Sequence, residues 1–239
     1  MSAGRPRRAV IGIGLLGLFA AVGFGWLGAW QVERRAWKLD LIARVEHRLA
    51  AAPVEAPGPA MWPSISRGQD EYRRVRVTGR FLARRRTLVA ASTDEGPGFW
   101  LMMPLREARG FTVLVNRGFV PSPREAAAVP EGAASLIGLL RVSEPGGDLL
   151  RSNDAAAGRW YSRDVAAIAA ARRIGPVAPY FIDAAAGPDA RPYPHGGLTM
   201  VTFPNNHLAY AATWFTLAAM VAGATVFVVR QEWSRADGL

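Results

Sequence analysis

Three histidines and no cysteine limit where this chain could hold a metal ion. His207 stands at the start of an apolar run, and Tyr210 and Trp214 follow it at helical spacing, so all three would share one stripe of a helix. The start of a helix disfavours a charged imidazolium, so His207 would stay neutral and keep a lone pair for a metal ion such as iron. We expect the other two, His47 and His195, to be solvated.

The same region has a structural explanation that the sequence leaves open. A polar residue beside a helix start often serves as a cap, and Asn205 and Asn206, directly before His207, are typical capping residues. Trp30 and the aromatic residues after His207 would then form the aromatic belt of a membrane interface.

Several charged side chains could bind ions or charged groups. Arg34 and Arg35, just after another apolar run, could pair with carboxylates such as the propionates of a porphyrin. Arg117 lies among strand-forming residues and precedes a glycine, which indicates either a buried pair at a sheet edge or an exposed contact with an anion. Asp164 could pair functionally with Arg163, but a carboxylate at a helix start has an adequate structural role.

Two long apolar runs bracket these residues. They cover 9–30 and 208–229, each is 22 residues long, and neither contains an Asp, Glu, Lys or Arg. As helices they would each extend about 33 Å, close to the ~30 Å hydrocarbon core of a bilayer. Both therefore predict membrane-spanning helices. Gly17, Ala21, Gly25 and Ala29, four residues apart on the first, would let another helix approach closely.

Arginines at the two ends of the chain predict its orientation. Arg5, Arg7 and Arg8 precede the first run, and Arg230 and Arg235 follow the second, which places both ends in the cytoplasm by the positive-inside rule. The arginines after the first run count against this, but long loops translocate largely regardless of charge. We expect a multi-pass protein of a bacterial-type inner (plasma) membrane, with its main domain outside the cytoplasm.

The region between the spans reads as one α+β domain. The predicted segments are a cytoplasmic tail (1–8), a transmembrane helix (9–30), a helix extension (31–52), a proline-rich linker (53–66), an extracytoplasmic domain (67–207), a second transmembrane helix (208–229) and a cytoplasmic tail (230–239). Predicted strands are 72–81, 87–91, 99–105, 111–120, 135–142, 179–183 and 198–203. Strands at this spacing predict an antiparallel sheet or small barrel. One helix, 163–173, follows Ser162 as its cap.

Composition excludes several classes of protein. Without cysteine there is no disulfide, thiolate metal site, iron–sulfur cluster or covalently attached haem. The net charge of +10 comes with no nucleic-acid-binding motif, so a bilayer surface or an acidic partner suits it better than nucleic acid. No nucleophile elbow, zinc-protease, Walker A or dinucleotide-binding motif is present, so we do not expect an enzyme.

Six segments, in order, resemble the surfeit locus protein 1 family of membrane-anchored factors that assist assembly of haem–copper terminal oxidases. They are Leu27-Gly28-Ala29-Trp30-Gln31 with Arg34, Trp37 and Lys38; Tyr72-Arg73-Arg74-Val75-Arg76-Val77-Thr78-Gly79; Pro97-Gly98; Val115-Asn116-Arg117-Gly118 with Val120-Pro121; Trp160-Tyr161-Ser162-Arg163-Asp164; and Pro204-Asn205-Asn206-His207-Leu208-Ala209-Tyr210 with Thr213-Trp214-Phe215. The chain departs from the family pattern at Phe119, where a tryptophan is usual.

The resemblance implies two spans around an extracytoplasmic domain, association with oxidase subunit I, and a role in inserting haem a with His207 as the candidate iron ligand. Haem a synthase is a further candidate partner. Five residues would serve partner binding or structure: Arg117, Tyr161, Asp164, Asn205 and Asn206. The alternatives are a structural scaffold that binds no haem, or the same role for a quinol oxidase. In a eukaryote the membrane would be the mitochondrial inner membrane.

Overall fold

The computed structural model describes residues 7–127, 129, 132–148, 150–187, 193–199, 201 and 203–237. The chain forms two compact units, one from residues up to 44 and from 202 onward, and one from residues 45–201. In chain order the elements are α1 (Arg7–Ala50), β1 (Val54–Glu55), α2 (Arg67–Asp70), β2 (Arg74–Phe81), β3 (Thr87–Thr93), β4 (Gly96–Glu107), β5 (Thr112–Val120), α3 (Pro123–Ala127), β6 (Gly132–Val142), α4 (Val165–Arg172), β7 (Val177–Ala184) and α5 (His207–Asp237).

The first unit contains α1 as far as Arg44 and all of α5, and these helices contain the two predicted spans. By length and composition both helices could cross a bilayer, and only 6% and 0% of their most apolar stretches are buried within the protein. A core helix of a water-soluble domain would instead be mostly buried. α1 continues through its charged second half to Ala50, close to the end predicted from the sequence.

α1 and α5 pack along a face of α1 whose contacts with α5 fall at positions 14, 17, 24, 28 and 31, that is, three, four or seven residues apart. A side chain at Gly17 would collide with Thr225, and one at Gly28 would lie 2.7 Å from the ring of Phe215. Such spacing is typical of two helices wound around each other. The predicted stripe of small residues from Gly17 to Ala29 therefore belongs only in part to the packed face. Gly17 contacts α5, but a Cβ at Gly25 would meet no atom within 4 Å.

The second unit is built on one sheet, which among the described residues has seven strands in the order β1-β2-β6-β7-β5-β4-β3. β2 also pairs with β4, and glycine at position 79 permits this because a Cβ there would collide with the carbonyl of Arg106. The β1–β2 and β5–β7 pairs are parallel. The sheet is thus mixed, and the prediction of an antiparallel sheet is wrong for these pairs. Two parallel strands must be joined by a long connection. The alternation of apolar and polar side chains predicts a strand but not the direction of its neighbour.

Six predicted strands correspond to β2 through β7, but the seventh, 198–203, is wrong for its described residues; positions 200 and 202 lie outside the part of the chain that the structure describes. The described residues Leu198, Thr199, Val201 and Phe203 lie outside strands. β7, at whose end this segment arrives, already has β6 and β5 as neighbours and so offers it no edge. β1 lies in the predicted linker and was missed because it has only two residues.

The core lies along β5 and β7, where nearly every side chain is buried. α4 covers part of the sheet through Ile168, which packs with Leu114 and Phe181. The cap of α4 is Asp164, whose carboxylate accepts a hydrogen bond from the backbone N–H of Ala167 at 3.0 Å. The prediction of Ser162 as the cap is therefore wrong.

Candidate functional site

His207 opens α5 and contacts Gln31 of α1. Its Nδ1 lies 2.8 Å from the side-chain oxygen of Gln31. An amide oxygen only accepts hydrogen bonds, so in the neutral ring Nδ1 carries the proton and Nε2 keeps the lone pair. Histidines that bind metals are commonly held in this way, with the second ring nitrogen donating to an oxygen.

A shallow cavity of about 250 Å³ adjoins this histidine. It is lined by Gln31, Lys38, Pro204, Asn206, His207 and Tyr210. Pockets for drug-sized molecules measure roughly 300–1,000 Å³. The cavity therefore suits a small group, and a macrocycle would have to lie on the exposed helix faces beside it.

The structure distributes the other predicted haem-contacting residues over several places. Tyr210 shares the cavity with His207, but its side chain is 57% exposed. Trp214 stacks on Phe24 of α1 with ring centroids 5.7 Å apart, so it serves the packing of the two helices. Trp30 is exposed.

The basic side chains near the cavity differ from those predicted. Arg34 places its guanidinium 4.2 Å from the ring centroid of Trp37, and Arg35 is half-buried. The cation that lines the cavity is Lys38. The sequence offered a sign of this position for Lys38, because it lies seven residues after Gln31 and so on the same helix face.

Asn205 and Asn206 lie where a cap of α5 would lie. The backbone carbonyl of Asn206 accepts a hydrogen bond from the N–H of Tyr210 at 3.2 Å, which closes the first turn. The side-chain oxygen of Asn205 is buried without a hydrogen-bond partner among the described residues.

A network of buried and partly buried charges in the second unit centres on Asp183, near the end of β7. Asp183 is 4% exposed and accepts hydrogen bonds from Arg141 at 2.8 Å, Asn116 at 2.8 Å and Thr199 at 2.9 Å. Arg163 approaches it at 3.4 Å. The carboxylate thus joins β5, β6 and two later segments of the chain.

Two further carboxylates complete the network. Glu71 accepts from Nε of Arg141 at 2.7 Å, and Glu144 binds Arg163 through both of its oxygens at 2.6 and 2.9 Å. Burial lowers the pKa of Arg141, but the carboxylates of Asp183 and Glu71 raise it by more, so its pKa lies above the ordinary value. Arg141 stays charged under all physiological conditions.

This network was missed in the sequence because its members are scattered. Asn116 and Arg163 belong to two segments that carry the family resemblance, whereas the sequence pattern predicts Asp183 and Arg141 only as strand residues. The available signal was the presence of charged side chains in otherwise apolar strands, where buried charges need partners. A cavity of about 680 Å³ adjoins the network and is bordered by Trp100.

The remaining predicted residues lie outside the network. The backbone N–H of Tyr161 donates to Asn153 at 2.8 Å, and the Tyr161 ring lies 4.4 Å from the guanidinium of Arg151. Arg117 stacks over Phe81 at 4.7 Å.

The described residues offer no ready-made centre for a bare metal ion. No group of three or more His, Asp or Glu side chains among them is placed to hold one. A metal at His207 would therefore bring most of its ligands with it, as the iron of a porphyrin does.

Comparison with known proteins identifies relatives along most of the chain. A sequence model of the SURF1 family matches residues 18–219. Human Surfeit locus protein 1 is 36% identical over 227 residues, which cover 84% of this chain and 72% of the human protein. The SURF1-like protein of Monosiga brevicollis is 35% identical over 235 residues, covering 90% of this chain and 86% of that protein.

Surfeit locus protein 1 of Takifugu rubripes is 30% identical over 226 residues, covering 84% of this chain and 90% of that protein. The family match runs from within α1 to within α5 and includes every strand of the sheet. It also includes both candidate sites, His207 with Gln31 and the network around Asp183. The chain belongs to the SURF1 family.

Proposed function

We propose that this chain is a non-catalytic, membrane-bound assembly factor for a haem–copper terminal oxidase. Membership of the SURF1 family, with a match from within α1 to within α5 that includes the whole sheet, is the observation that carries this proposal. α1 and α5 would span a bacterial-type inner membrane, with the sheet domain outside the cytoplasm. The matching location in a eukaryote is the mitochondrial inner membrane.

The partner in this role is subunit I of the oxidase, which would dock through the membrane helices. The outward faces of α1 and α5 support this, because they are apolar and uncovered: Phe19 is 78% exposed and Phe227 is 66% exposed. Haem a synthase is a second proposed partner, because a factor that assists haem a insertion would receive haem a close to the enzyme that makes it.

Haem a is the proposed ligand of the His207 region. The residues fit a haem group, since the Gln31 contact leaves Nε2 of the neutral His207 ring with its lone pair for the iron and the exposed Trp30 and Tyr210 offer apolar surface. Lys38 and Arg35 would bind the propionates. When bound, the haem supplies the iron that accepts the imidazole. The protein's part is to hold and release the group without transforming it.

The test is to purify the full chain from cells that make haem a and to record its optical spectrum. We expect His207→Ala to lose most of the haem signal, and His195→Ala, in the sheet domain, to keep it. An unchanged spectrum in His207→Ala would contradict haem ligation by this residue.

The alternative is a scaffold that stabilises subunit I without touching haem. The 250 Å³ volume of the cavity favours it, because this space is too small to enclose a macrocycle. Under this alternative, His207→Ala would still co-purify with subunit I and restore oxidase assembly in a deletion strain. The oxidase that such a strain lacks would also identify the client as a cytochrome c oxidase or a quinol oxidase.

A further inference from the structure

The shallow cavity beside His207 lies where both apolar runs end. Gln31, which lines it, directly follows the first run, and His207 directly precedes the second. Helices that span a bilayer leave its hydrocarbon core at the ends of their apolar runs. Given the membrane-spanning role proposed above for α1 and α5, the cavity therefore lies at the level of the lipid headgroups.

The aromatic residues and the size of the cavity agree with this level. Trp30 and Tyr210 are both exposed. Tryptophan and tyrosine are enriched at the headgroup level of membranes, because each combines an apolar ring with a polar group. A volume of about 250 Å³ is below that of pockets for drug-sized molecules, so the cavity suits one small polar group.

Lys38 brings a positive charge to the cavity. It is half-buried, and among the described residues its ammonium group forms no hydrogen bond or ion pair. Side chains of a helix tilt towards its N-terminus, so Lys38 extends back towards Gln31 and the apolar run. Lysine side chains near the ends of membrane helices commonly reach the headgroups in this way. The nearest undescribed positions in the sequence, Met200 and Thr202, carry no charge.

The charges of α1 just beyond the apolar run are separated around the helix. Arg34 and Arg35 lie four and three residues before Lys38, and therefore on the same side. Glu33 and Asp40 lie about 140–160° around the axis from Lys38. The two arginines add to the positive potential on the cavity side of α1, whereas both carboxylates point away from it.

Neutral donors complete the lining. Asn206 contributes an amide and Tyr210 a hydroxyl, and both groups can donate a hydrogen bond to an oxygen. Lysine binds phosphate groups as a point charge. We propose that this cavity binds the phosphate group of an anionic lipid headgroup, with Lys38 as the recognition residue. In the haem-bound state proposed above, the same side chain would bind a propionate, so lipid and haem would compete for it.

Lipid binding can be measured by native mass spectrometry of the full chain in detergent, purified from cells that make no haem a and titrated with phosphatidylglycerol or phosphatidylcholine. We expect phosphatidylglycerol to bind more tightly, because its headgroup carries a net negative charge. Lys38→Gln should weaken this binding about tenfold or more, since a hydrogen bond to a charged group is lost. Lys38→Arg keeps the charge and should keep most of the affinity.

Arg44→Gln is the matched control. Arg44 is an exposed cation of the same helix, but it lies about 120° around the axis from Lys38 and does not line the cavity. Its replacement removes the same charge from α1. We expect the affinity for phosphatidylglycerol to change less than about twofold, because distant surface charges are screened.

A second measurement uses the fact that Lys38 is the only lysine of the chain. A bound phosphate should slow its acetylation by acetic anhydride, an uncharged reagent. We expect a several-fold slower reaction in nanodiscs that contain phosphatidylglycerol than in nanodiscs of phosphatidylcholine alone. The α-amino group of the chain is the internal reference for the reactivity of amines in each kind of disc.

Equal weakening by Lys38→Gln and Arg44→Gln would overturn the proposal, because overall charge alone would then hold the lipid. Equal acetylation rates in the two kinds of disc would also count against it. Phosphatidylglycerol that stays bound in excess inorganic phosphate supports a lipid headgroup as the ligand, whereas displacement at equal concentration would assign the cavity to free phosphate. These titrations use haem-free protein, so they succeed or fail independently of the haem spectrum of His207→Ala.

Discussion

The hydrogen bond between Gln31 and His207 selects one form of the imidazole ring. Gln31→Leu removes the acceptor, so the proton should redistribute between the two ring nitrogens. We expect the ¹⁵N chemical shifts of His207 to change in the full chain in detergent. Gln31→Glu keeps an acceptor and should preserve the proton on Nδ1. Identical shifts in wild type and Gln31→Leu would contradict the role of this contact.

Asp183 binds more partners than any other side chain described above, and its loss should be costly. Asp183→Asn leaves the partly buried Arg141 and Arg163 with less negative charge, which we expect to lower the free energy of unfolding by about 1–3 kcal/mol. Chemical unfolding of the full chain, followed by tryptophan fluorescence, measures this. Asp148→Asn breaks the exposed pair with Arg151 and should leave the midpoint nearly unchanged.

Tyr180 predicts a dependence of stability on alkaline pH. Its hydroxyl is buried and donates to the carbonyl of Pro57 at 2.7 Å, and burial raises the pKa of the phenol well above its ordinary value. Folding therefore favours the protonated phenol. Its contribution is complete below about pH 10, the ordinary pKa of tyrosine, and is lost as pH rises towards the folded pKa.

The comparison is with Tyr180→Phe, which should lower the free energy of unfolding by about 0.5–1.5 kcal/mol at neutral pH. One hydrogen bond to the carbonyl of Pro57 is lost, while that carbonyl keeps its second donor, Nε1 of Trp62 at 3.1 Å. Between pH 10 and 11.5 the wild type should lose stability more steeply than the variant. Parallel slopes in urea unfolding across this range would show that Tyr180 does not titrate as described.

At the scale of elements, the packing of α1 against α5 depends on glycines at defined positions. Gly28→Leu would force the ring of Phe215 away and separate the helices. The chain has no native cysteine, so a pair introduced at Gly14 and Val229, which lie in contact, reports helix proximity through disulfide formation. We expect Gly28→Leu to reduce the disulfide yield several-fold, and Gly25→Leu to leave it unchanged.

Elements whose structure follows from local pattern were predictable. The two long helices follow from composition, and six strands follow from runs of branched and aromatic residues. The parallel β5–β7 pair was not predictable, because the direction of a neighbouring strand depends on connections far away in sequence. The predicted cap of α4, Ser162, lies two residues before the observed cap, Asp164. Both residue types cap helices well, so only the geometry distinguishes them.

The candidate sites show the same division. His207 and Tyr210 are three residues apart on a helix and therefore lie on the same face, and both line one cavity. Gln31 and Asp183 were not found, because Gln31 contacts a residue 176 positions away and the partners of Asp183 lie in four separate segments, 16 to 67 positions away. Sequence spacing relates residues within one element, whereas these contacts depend on how separate elements pack.

At the scale of the whole molecule, the charge pattern predicts the orientation in the membrane. A phosphatase reporter that matures only outside the cytoplasm should be active when fused after Ala60 and inactive when fused after Asp237. The reason is that the arginines before the first span resist translocation while the long domain does not. Activity of a cytoplasm-specific reporter after Ala60 would reverse the topology.

The central position of β7 in the sheet determines when the domain can complete its fold during synthesis. β7 lies between β5 and β6, yet its residues are synthesised after every other strand of the sheet. Until Val177–Ala184 emerges, a nascent chain has no strand to place between those two, and their unpaired backbone groups and apolar side chains stay in contact with water. The growing polypeptide therefore remains prone to self-association until late in translation, when one eight-residue segment inserts and completes the structure.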